Sequence, residues 1–412
     1  GGGVDATPNP DVYYSLIDRI DYSNDTSTAE VKGNLVIDRN SGIALSSAEN
    51  VLPKQYDSVP DISDTNIQPV GTDYGYFVGG GTPAKRSTVD RIDYSNDTAP
   101  ILSKGPLSEE KSYVVSVGSQ YYGYTAGGGT PSVNQISKID RIDYSNDTAD
   151  ALTKSLLTAS AGSVAAVGNE NYGYFGGGET ASRISTISRL DYTNDTLNTI
   201  ERTTLNAPAG QVSPRRSIAA TGNNNYGYFS GGQNPAENPT IYSIVDRLDY
   251  SNDTVITAVR CNLSSKKEFH AATGNANYGY FGGGSTPSLV STVDRIDYSN
   301  DTAPILSKGP LASPDGVAGL AATGNSNYGY FGGGRGGDTG NVLQDTIYRI
   351  DYSSDSGPAP AKSALSSARQ YVGAMSSRAN ALPTTRMVSK VGLLLEAYTF
   401  DKVKYTVSNY GY

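Results

Sequence analysis

Two short signatures alternate along this chain of 412 residues, and that alternation restricts its fold more than any other feature. One is Asp-Arg-Ile/Leu-Asp-Tyr-Ser/Thr-Asn-Asp-Thr or a close variant. Its Asp-Tyr step begins at Asp21, Asp93, Asp143, Asp191, Asp249, Asp297 and Asp351, seven copies in all. The other is Tyr-Gly-Tyr-Phe-Gly-Gly-Gly or a near form, beginning at Tyr74, Tyr122, Tyr172, Tyr226, Tyr278 and Tyr328, six copies. The chain ends Asn409-Tyr410-Gly411-Tyr412 and starts Gly1-Gly2-Gly3, so tail joined to head regenerates most of a seventh copy. Units of roughly 50 residues whose ends complete one another predict a closed ring of repeated sheets. The expectation is an all-β, seven-bladed β-propeller, four antiparallel strands per blade, closed by the N- and C-termini sharing one blade. It would be a single domain over 1–412, with insertions at 38–68 and 381–408.

The unit from Ala271 to Leu311 shows the four strands. Ala271-Ala272-Thr273 ends strand one, and Gly274-Asn275-Ala276-Asn277 is a tight turn of residues that tolerate positive φ. Tyr278 to Phe281 is strand two, closed by three glycines. Ser291 to Tyr298 is strand three, Ser299 to Thr302 turns the chain, and Ile305 to Lys308 is strand four. Alternation places Val293, Arg295 and Asp297 on one side of the sheet and Asp294, Ile296 and Tyr298 on the other. A weak helical period runs only from Arg386 to Ala397.

Composition excludes several function classes. A net charge of −9 argues against wrapping a phosphate backbone, so no nucleic-acid partner is expected. One Cys and one His leave no disulfide framework, no Cys-based metal site and no multi-histidine site. No apolar run approaches the ~18 residues of a membrane span, the nearest being Val391 to Ala397, and no membrane insertion is expected. The start at Gly1 without Met reads as a processed product or a fragment, from which any signal peptide is already gone.

The repeated residues read as structural. The glycine triplets lack the Gly-Lys-Ser/Thr of a phosphate loop and suit the close approach of neighbouring blades. The clusters typified by Asp294, Asp297, Asn300 and Asp301 lack calcium-loop spacing; Asp301 and Asn300 are expected to satisfy turn amides, with Arg295 paired to a neighbouring Asp or carbonyl. No metal and no cofactor is expected. Asn-Asp-Thr matches a glycosylation sequon in six turns, but a repeated β-turn explains the same letters. Strand four carries one basic residue in each unit (Lys32, Lys104, Lys154, Arg202, Arg260, Lys308, Lys362), expected to guard an outer edge against pairing. His270 stands where other units have Val114, Val164, Ile218 and Leu320, which is a packing position. Cys261 replaces Gly105 and Gly309 and reads as incidental. No catalytic residue is assigned and no enzyme is expected.

The order of glycine doublet, variable loop, strand ending in Asp-Tyr, polar turn and edge strand resembles kelch repeats, although the usual Trp after the turn is absent. The near-verbatim Gly-Tyr-Phe-Gly-Gly-Gly and Ser-Thr-Val-Asp-Arg-Ile-Asp-Tyr-Ser-Asn-Asp-Thr units resemble those of virion structural, tail-fibre-like proteins of marine cyanobacterial phages. That resemblance covers nearly all of the chain outside 38–68 and 381–408. It implies a virion or extracellular location, attachment to a host, and a host-surface glycan or protein, or a neighbouring virion subunit, as partner; a homo-oligomer is compatible with it.

Antiparallel strands put the one–two and three–four turns on one face of the ring, and the two–three and four–one loops on the other. The first set is nearly invariant; the second varies in length and chemistry and is free to recognise something. Ligand-binding candidates on that variable face are Lys54, Tyr56, Lys85, Arg86, Asn134, Arg183, Gln233, Asn234, Arg335 and Asp338. The 381–408 segment is expected to project from the opposite face, with Leu393-Leu394-Leu395 docking a subunit or packing under its own blade. The reading that emerges is a non-catalytic binding or structural module. The alternatives are a kelch-like protein-interaction scaffold and a carbohydrate-active enzyme of propeller fold. Galactose-oxidase chemistry, which kelch-type propellers also host, needs two His ligands where this chain has one.

Overall fold

The structure, a computed structural model, describes residues 73–377 apart from 82, 208–210, 237–239 and 338–341, together with the strands Tyr14–Arg19, Glu30–Arg39, Asn66–Pro69 and Thr385–Val388. The chain divides into two compact units, Gly1–Ile67 with Met387–Tyr412, and Gln68–Arg386. In the first, Tyr14–Arg19 pairs antiparallel with Glu30–Arg39 in a two-stranded sheet.

The second unit is a β-propeller of six four-stranded antiparallel sheets. The first blade is Gly373–Ser376, Tyr74–Val78, Val89–Asp93 and Leu102–Ser103; the second is Val115–Gly118, Tyr122–Ala126, Lys138–Asp143 and Leu152–Leu156. The third is Ala165–Gly168, Tyr172–Gly176, Thr186–Asp191 and Ile200–Thr204; the fourth is Ala219–Gly222, Tyr226–Ser230, Ile244–Asp249 and Ala258–Asn262. Ala271–Gly274, Tyr278–Gly282, Val293–Asp297 and Leu306–Lys308 make the fifth, and Ala321–Gly324, Tyr328–Gly332, Thr346–Asp351 and Ala361–Ala364 the sixth. The strands read from sequence in 271–308 therefore stand within a residue or two.

The expected seven blades are corrected to six among the described residues. A blade needs both signatures, and the copy at Asp21 falls in the other unit, following a strand of the two-stranded sheet. The six Tyr-Gly-Tyr segments each supply the second strand of one blade. Closure is likewise internal: Gly373–Ser376 pairs with Tyr74–Val78, so the first blade takes its innermost strand from the far end of the ring. The expected meeting of Tyr412 with Gly1 lies outside the described residues, as do nearly all of 38–68 and 381–408.

What holds one blade to the next repeats six times. Tyr76 stacks on Tyr144 of the second blade with ring centroids 5.2 Å apart, and its hydroxyl donates to Asp147 at 3.0 Å. Arg91 donates to the same carboxylate at 2.7 Å while lying over the Tyr74 ring, and Lys104 reaches its other oxygen at 3.3 Å. The same Tyr, Arg and Asp arrangement recurs around the ring on Asp195, Asp253, Asp301 and Asp355. It closes with Tyr330 and Arg349 of the sixth blade on Asp97 of the first. The stack, cation–π contact and charge-assisted hydrogen bonds act on one buried group.

Two expectations change here. The turn amides are satisfied by the middle aspartate of the signature, as in Ser299 N–H donating to Asp297 at 2.9 Å, while Asp301 is the acceptor for the preceding blade. Burial alone would raise the Asp301 carboxyl; hydrogen bonds from Arg260 and Tyr228 and the nearby guanidinium charges outweigh it and hold it low. The strand-four cations Lys104, Arg202, Arg260 and Lys308 belong to these ties, so they are inter-blade fastenings before they are edge guards. Glycine acts as expected. Gly127 has φ +64°, and a Cβ there would sit 2.4 Å from the Ala161 carbonyl, the one that accepts from Gly128 N–H.

A second, fully buried ion pair sits under four blades: Arg369–Asp90, Lys111–Asp140, Arg215–Asp246 and Lys267–Asp294. At the equivalent positions the third blade has Ala161 and Ser188 and the sixth has Val317 and Tyr348, so cation and carboxylate disappear together. Going round the ring from the first blade the cation runs Arg, Lys, none, Arg, Lys, none. Joint loss is what burial demands, because one member left alone would be an uncompensated charge. Arg215→Met is therefore expected to cost about 3–5 kcal/mol. Arg215→Met combined with Asp246→Leu should recover most of that loss in denaturant melts.

The innermost tyrosine ring shows a similar asymmetry. Tyr94, Tyr298 and Tyr352 meet the hydroxyls of Thr323, Thr221 and Thr273 on the preceding blade's inner strand. The hydroxyls of Tyr144, Tyr192 and Tyr250 are buried without a hydrogen-bond partner among the described residues. Their counterparts of those threonines are Met375, Val117 and Val167. Val167→Thr is expected to stabilise the protein by about 0.5–1.5 kcal/mol, by giving Tyr250 an acceptor or donor. A chemical-denaturation midpoint that fails to rise would show that this hydroxyl does not need one.

Candidate functional site: the axial mouth of the variable face

Where each four–one connection enters its inner strand, one residue adopts left-handed backbone geometry. These are Tyr113, Ser163, Ser217, Phe269, Gly319 and Tyr371, with φ between 53° and 70°. Five of the six carry side chains, three of them large, in a region that costs a non-glycine residue free energy. The compensation is a cyclic set of backbone hydrogen bonds. Ser163 N–H donates to Tyr113, Ser217 to Ser163, Phe269 to Ser217, Gly319 to Phe269, Tyr371 to Gly319 and Tyr113 back to Tyr371, at 2.7–3.1 Å. Six bonds return to their starting residue, so the six blades among the described residues are linked in one cycle.

These six residues form the rim of an axial cavity of about 130 Å³, walled below by small side chains of the inner strands such as Ala165, Ala219, Ala271 and Ala321. The rim is uneven. Tyr113 and Tyr371 stack with centroids 3.8 Å apart, and Phe269 lies 5.6 Å from Tyr371, so one arc is aromatic. Ser163 and Ser217 fill the other arc. Ser217 is 5% exposed, and its hydroxyl has no hydrogen-bond partner among the described residues.

Charged residues stand one step outside the rim. Arg216 pairs with Glu179, which also meets Arg183 at 3.5 Å. Burial raises the Glu268 carboxyl above its ordinary range against the charges of Arg216 and Arg335 and a hydrogen bond with Gln233. Burial and then the neighbouring Tyr371 hydroxyl push the Tyr113 phenol up, against the charges of Arg216 and Arg335. Positive and negative groups thus alternate around one opening.

Of the residues expected on this face, none lines the cavity; Arg183 pairs with Glu179, Gln233 hydrogen-bonds to Glu268, and Arg335 acts on Glu268 and Tyr113, one step outside the rim. Lys85 lies elsewhere on the face, donating to the Thr130 carbonyl, with burial holding its amine below the ordinary range. Arg86 and Asn134 are exposed. Asn234 is buried and supports its own loop, accepting from Ala236 N–H at 3.2 Å. Lys54, Tyr56 and Asp338 lie outside the described residues. Sequence reasoning missed Tyr113, Phe269, Tyr371, Arg216, Glu179 and Glu268. The only signal, and one that does not cover Glu179, was that the two positions before the inner strand's entry residue have no letter common to all six units.

His270 is buried directly beneath Phe269 in the chain, and its Nε2 lies 2.8 Å from the Ser230 hydroxyl. Burial, reinforced by the Lys267 charge, drives its imidazole from 6.5 down to about 3. It is a neutral packing residue, as expected from its position; Cys261 is also buried, which pushes its thiol to about 12. The unfolded chain binds a proton at His270 near pH 6.5 and the folded chain does so only near pH 3. This group's stability contribution is therefore complete above pH 6.5 and falls on acidification by up to about 1.4 kcal/mol per pH unit. Replacing the pair as His270→Val with Ser230→Ala, the residues of the second blade, should flatten the pH 6–4 limb of a stability profile by one proton.

Compared with protein-family profiles and with curated proteins, the chain matches none. Among solved structures it is similar to that of YjhT, with TM-score 0.51 and 13% sequence identity, over 64% of this chain and 87% of that one. At that identity the likeness concerns the fold alone.

Proposed function

We propose that this protein is a non-catalytic binding module whose variable face contacts its partner, as part of a virion appendage of tail-fibre type, with a host-surface glycan as the favoured partner. The observation that carries this reading is the contrast between the two faces. On one, repeated asparagines and aspartates are spent on turn amides and blade-to-blade ties. On the other, aromatic and charged residues that do not repeat converge on a single opening. Aromatic faces and short hydroxyls suit stacking on sugar rings and hydrogen bonding to their hydroxyl groups. The non-catalytic part of the reading is supported by His270, which is buried and neutral, and by Glu179, which is paired with Arg216 and Arg183. The location in a virion follows from the resemblance of the repeat units.

Glycan arrays and host-cell pull-downs with the full chain test it. Binding should weaken about tenfold on Arg335→Ala and stay unchanged on Asn146→Ala, which lies in an invariant turn. Capture of a virion protein in place of any glycan would keep the module and change the partner. Absence of the chain from every particle fraction by mass spectrometry would remove the virion assignment.

A further inference from the structure

We infer that the axial mouth is a subsite for one neutral hexopyranose ring, entering end-on as the terminal residue of a glycan; this rests on the variable face being a glycan-binding surface. Three observations carry it. The cavity is about 130 Å³, well below the ~300–1,000 Å³ of pockets that enclose a whole drug-sized ligand, so only the end of a longer molecule enters. Its lining is two-sided: the stacked Tyr113 and Tyr371 with Phe269 offer an apolar arc, and Ser163 and Ser217 face it from the other. A pyranose ring has the same division, with an apolar C–H face and a periphery of hydroxyls.

The unpartnered groups also point to a polyhydroxylated ligand. Ser217 Oγ, the Glu268 Oε2 atom and the Arg216 Nε atom are all buried with no hydrogen-bond partner among the described residues. Buried polar atoms are normally satisfied, and Ser217, the one of the three that lines the cavity, has a hydroxyl suited to a ligand that donates or accepts a hydrogen bond. Charge selects among sugars. None of the residues lining the cavity is an aspartate, glutamate, lysine or arginine, and Arg216, one step outside the rim, is already paired with Glu179. The carboxylate of an acidic sugar would be desolvated there with no cation in the lining to offset it, whereas a neutral ring adds no charge.

The test uses the full chain with methyl glycosides of glucose, galactose, mannose and N-acetylglucosamine, and methyl glucuronide as the charged comparison. Binding is read by saturation-transfer NMR and by calorimetry. At least one neutral glycoside should bind and the glucuronide should not. Tyr113→Asn retains a residue suited to left-handed backbone and should weaken that binding about tenfold. Ser217→Ala should weaken it roughly two- to tenfold. Thermal melts confirm that both variants keep the fold, and if Tyr113→Asn does not, Ser217→Ala alone decides. Binding of only the glucuronide, or of a neutral glycoside indifferent to both substitutions, would overturn the inference. So would array glycans that bind and respond to Arg335→Ala but not to Tyr113→Asn or Ser217→Ala, an outcome that leaves the binding-module reading standing. If no glycan binds at all, both the subsite and the glycan reading fall.

Discussion

The carboxylate at the end of each three–four turn is the point on which the ring depends. It is planted in the preceding blade, where a tyrosine hydroxyl, an arginine and in four blades a strand-four cation close on it. A propeller blade touches only its two neighbours, so its stability is largely that of these repeated interfaces. Here the interface is polar at its heart and aromatic around it. That explains a chain with 31 Tyr and no Trp: the tyrosine stacks one blade on the next and its hydroxyl reaches the neighbouring turn. The glycines follow, because the doublet at the end of strand two must bring its backbone against the next blade's carbonyl.

Spending the repeated residues on this interface has a consequence for recognition. The one–two and three–four turns are locked into self-satisfying asparagine and aspartate turns, and the 3₁₀ turn Tyr298–Asn300 capped by Asp297 is typical. The opposite face has no such obligation. Its loops vary, its buried ion pairs come and go as matched sets, and its rim residues differ from blade to blade even though their backbone geometry is the same. A six-fold backbone ring thus carries a side-chain pattern without six-fold symmetry, which is what an opening needs to distinguish one orientation of a ligand from another.

Much of this was legible in the letters. Strand positions, glycine roles, the packing role of His270 and the division into a constant and a variable face all follow from spacing and residue type. The blade number did not, because the Asp-Tyr signature marks an outer hairpin, which can form in a two-stranded sheet as it does after Tyr14. Tyr-Gly-Tyr marks the inner hairpin, without which there is no blade. Strand-four cations looked like edge guards because their acceptors lie 41–51 residues away in the next blade. The mouth was hidden for a different reason. Left-handed geometry at Tyr113, Phe269 and Tyr371 is imposed by ring closure, and nothing in those side chains announces it. Arg183, Gln233 and Arg335 could be expected on this face because they lie in the variable loops after the glycine triplets; Arg216 and Glu268, which interact with the same charges, sit before the inner strand where no motif points.

The central claim is that six blades close on themselves through Gly373–Ser376 and the cyclic backbone bonds at the mouth. Site-resolved amide hydrogen exchange tests this most directly at Tyr113, whose N–H donates to Tyr371 across the seam. The account predicts that the Tyr113 amide exchanges as slowly as those of Ser163, Ser217 and Phe269, although it stands at an exposed opening. A Tyr113 amide exchanging at the rate of free loop amides, with the other three protected, would mean that the ring is open there or that another blade intervenes.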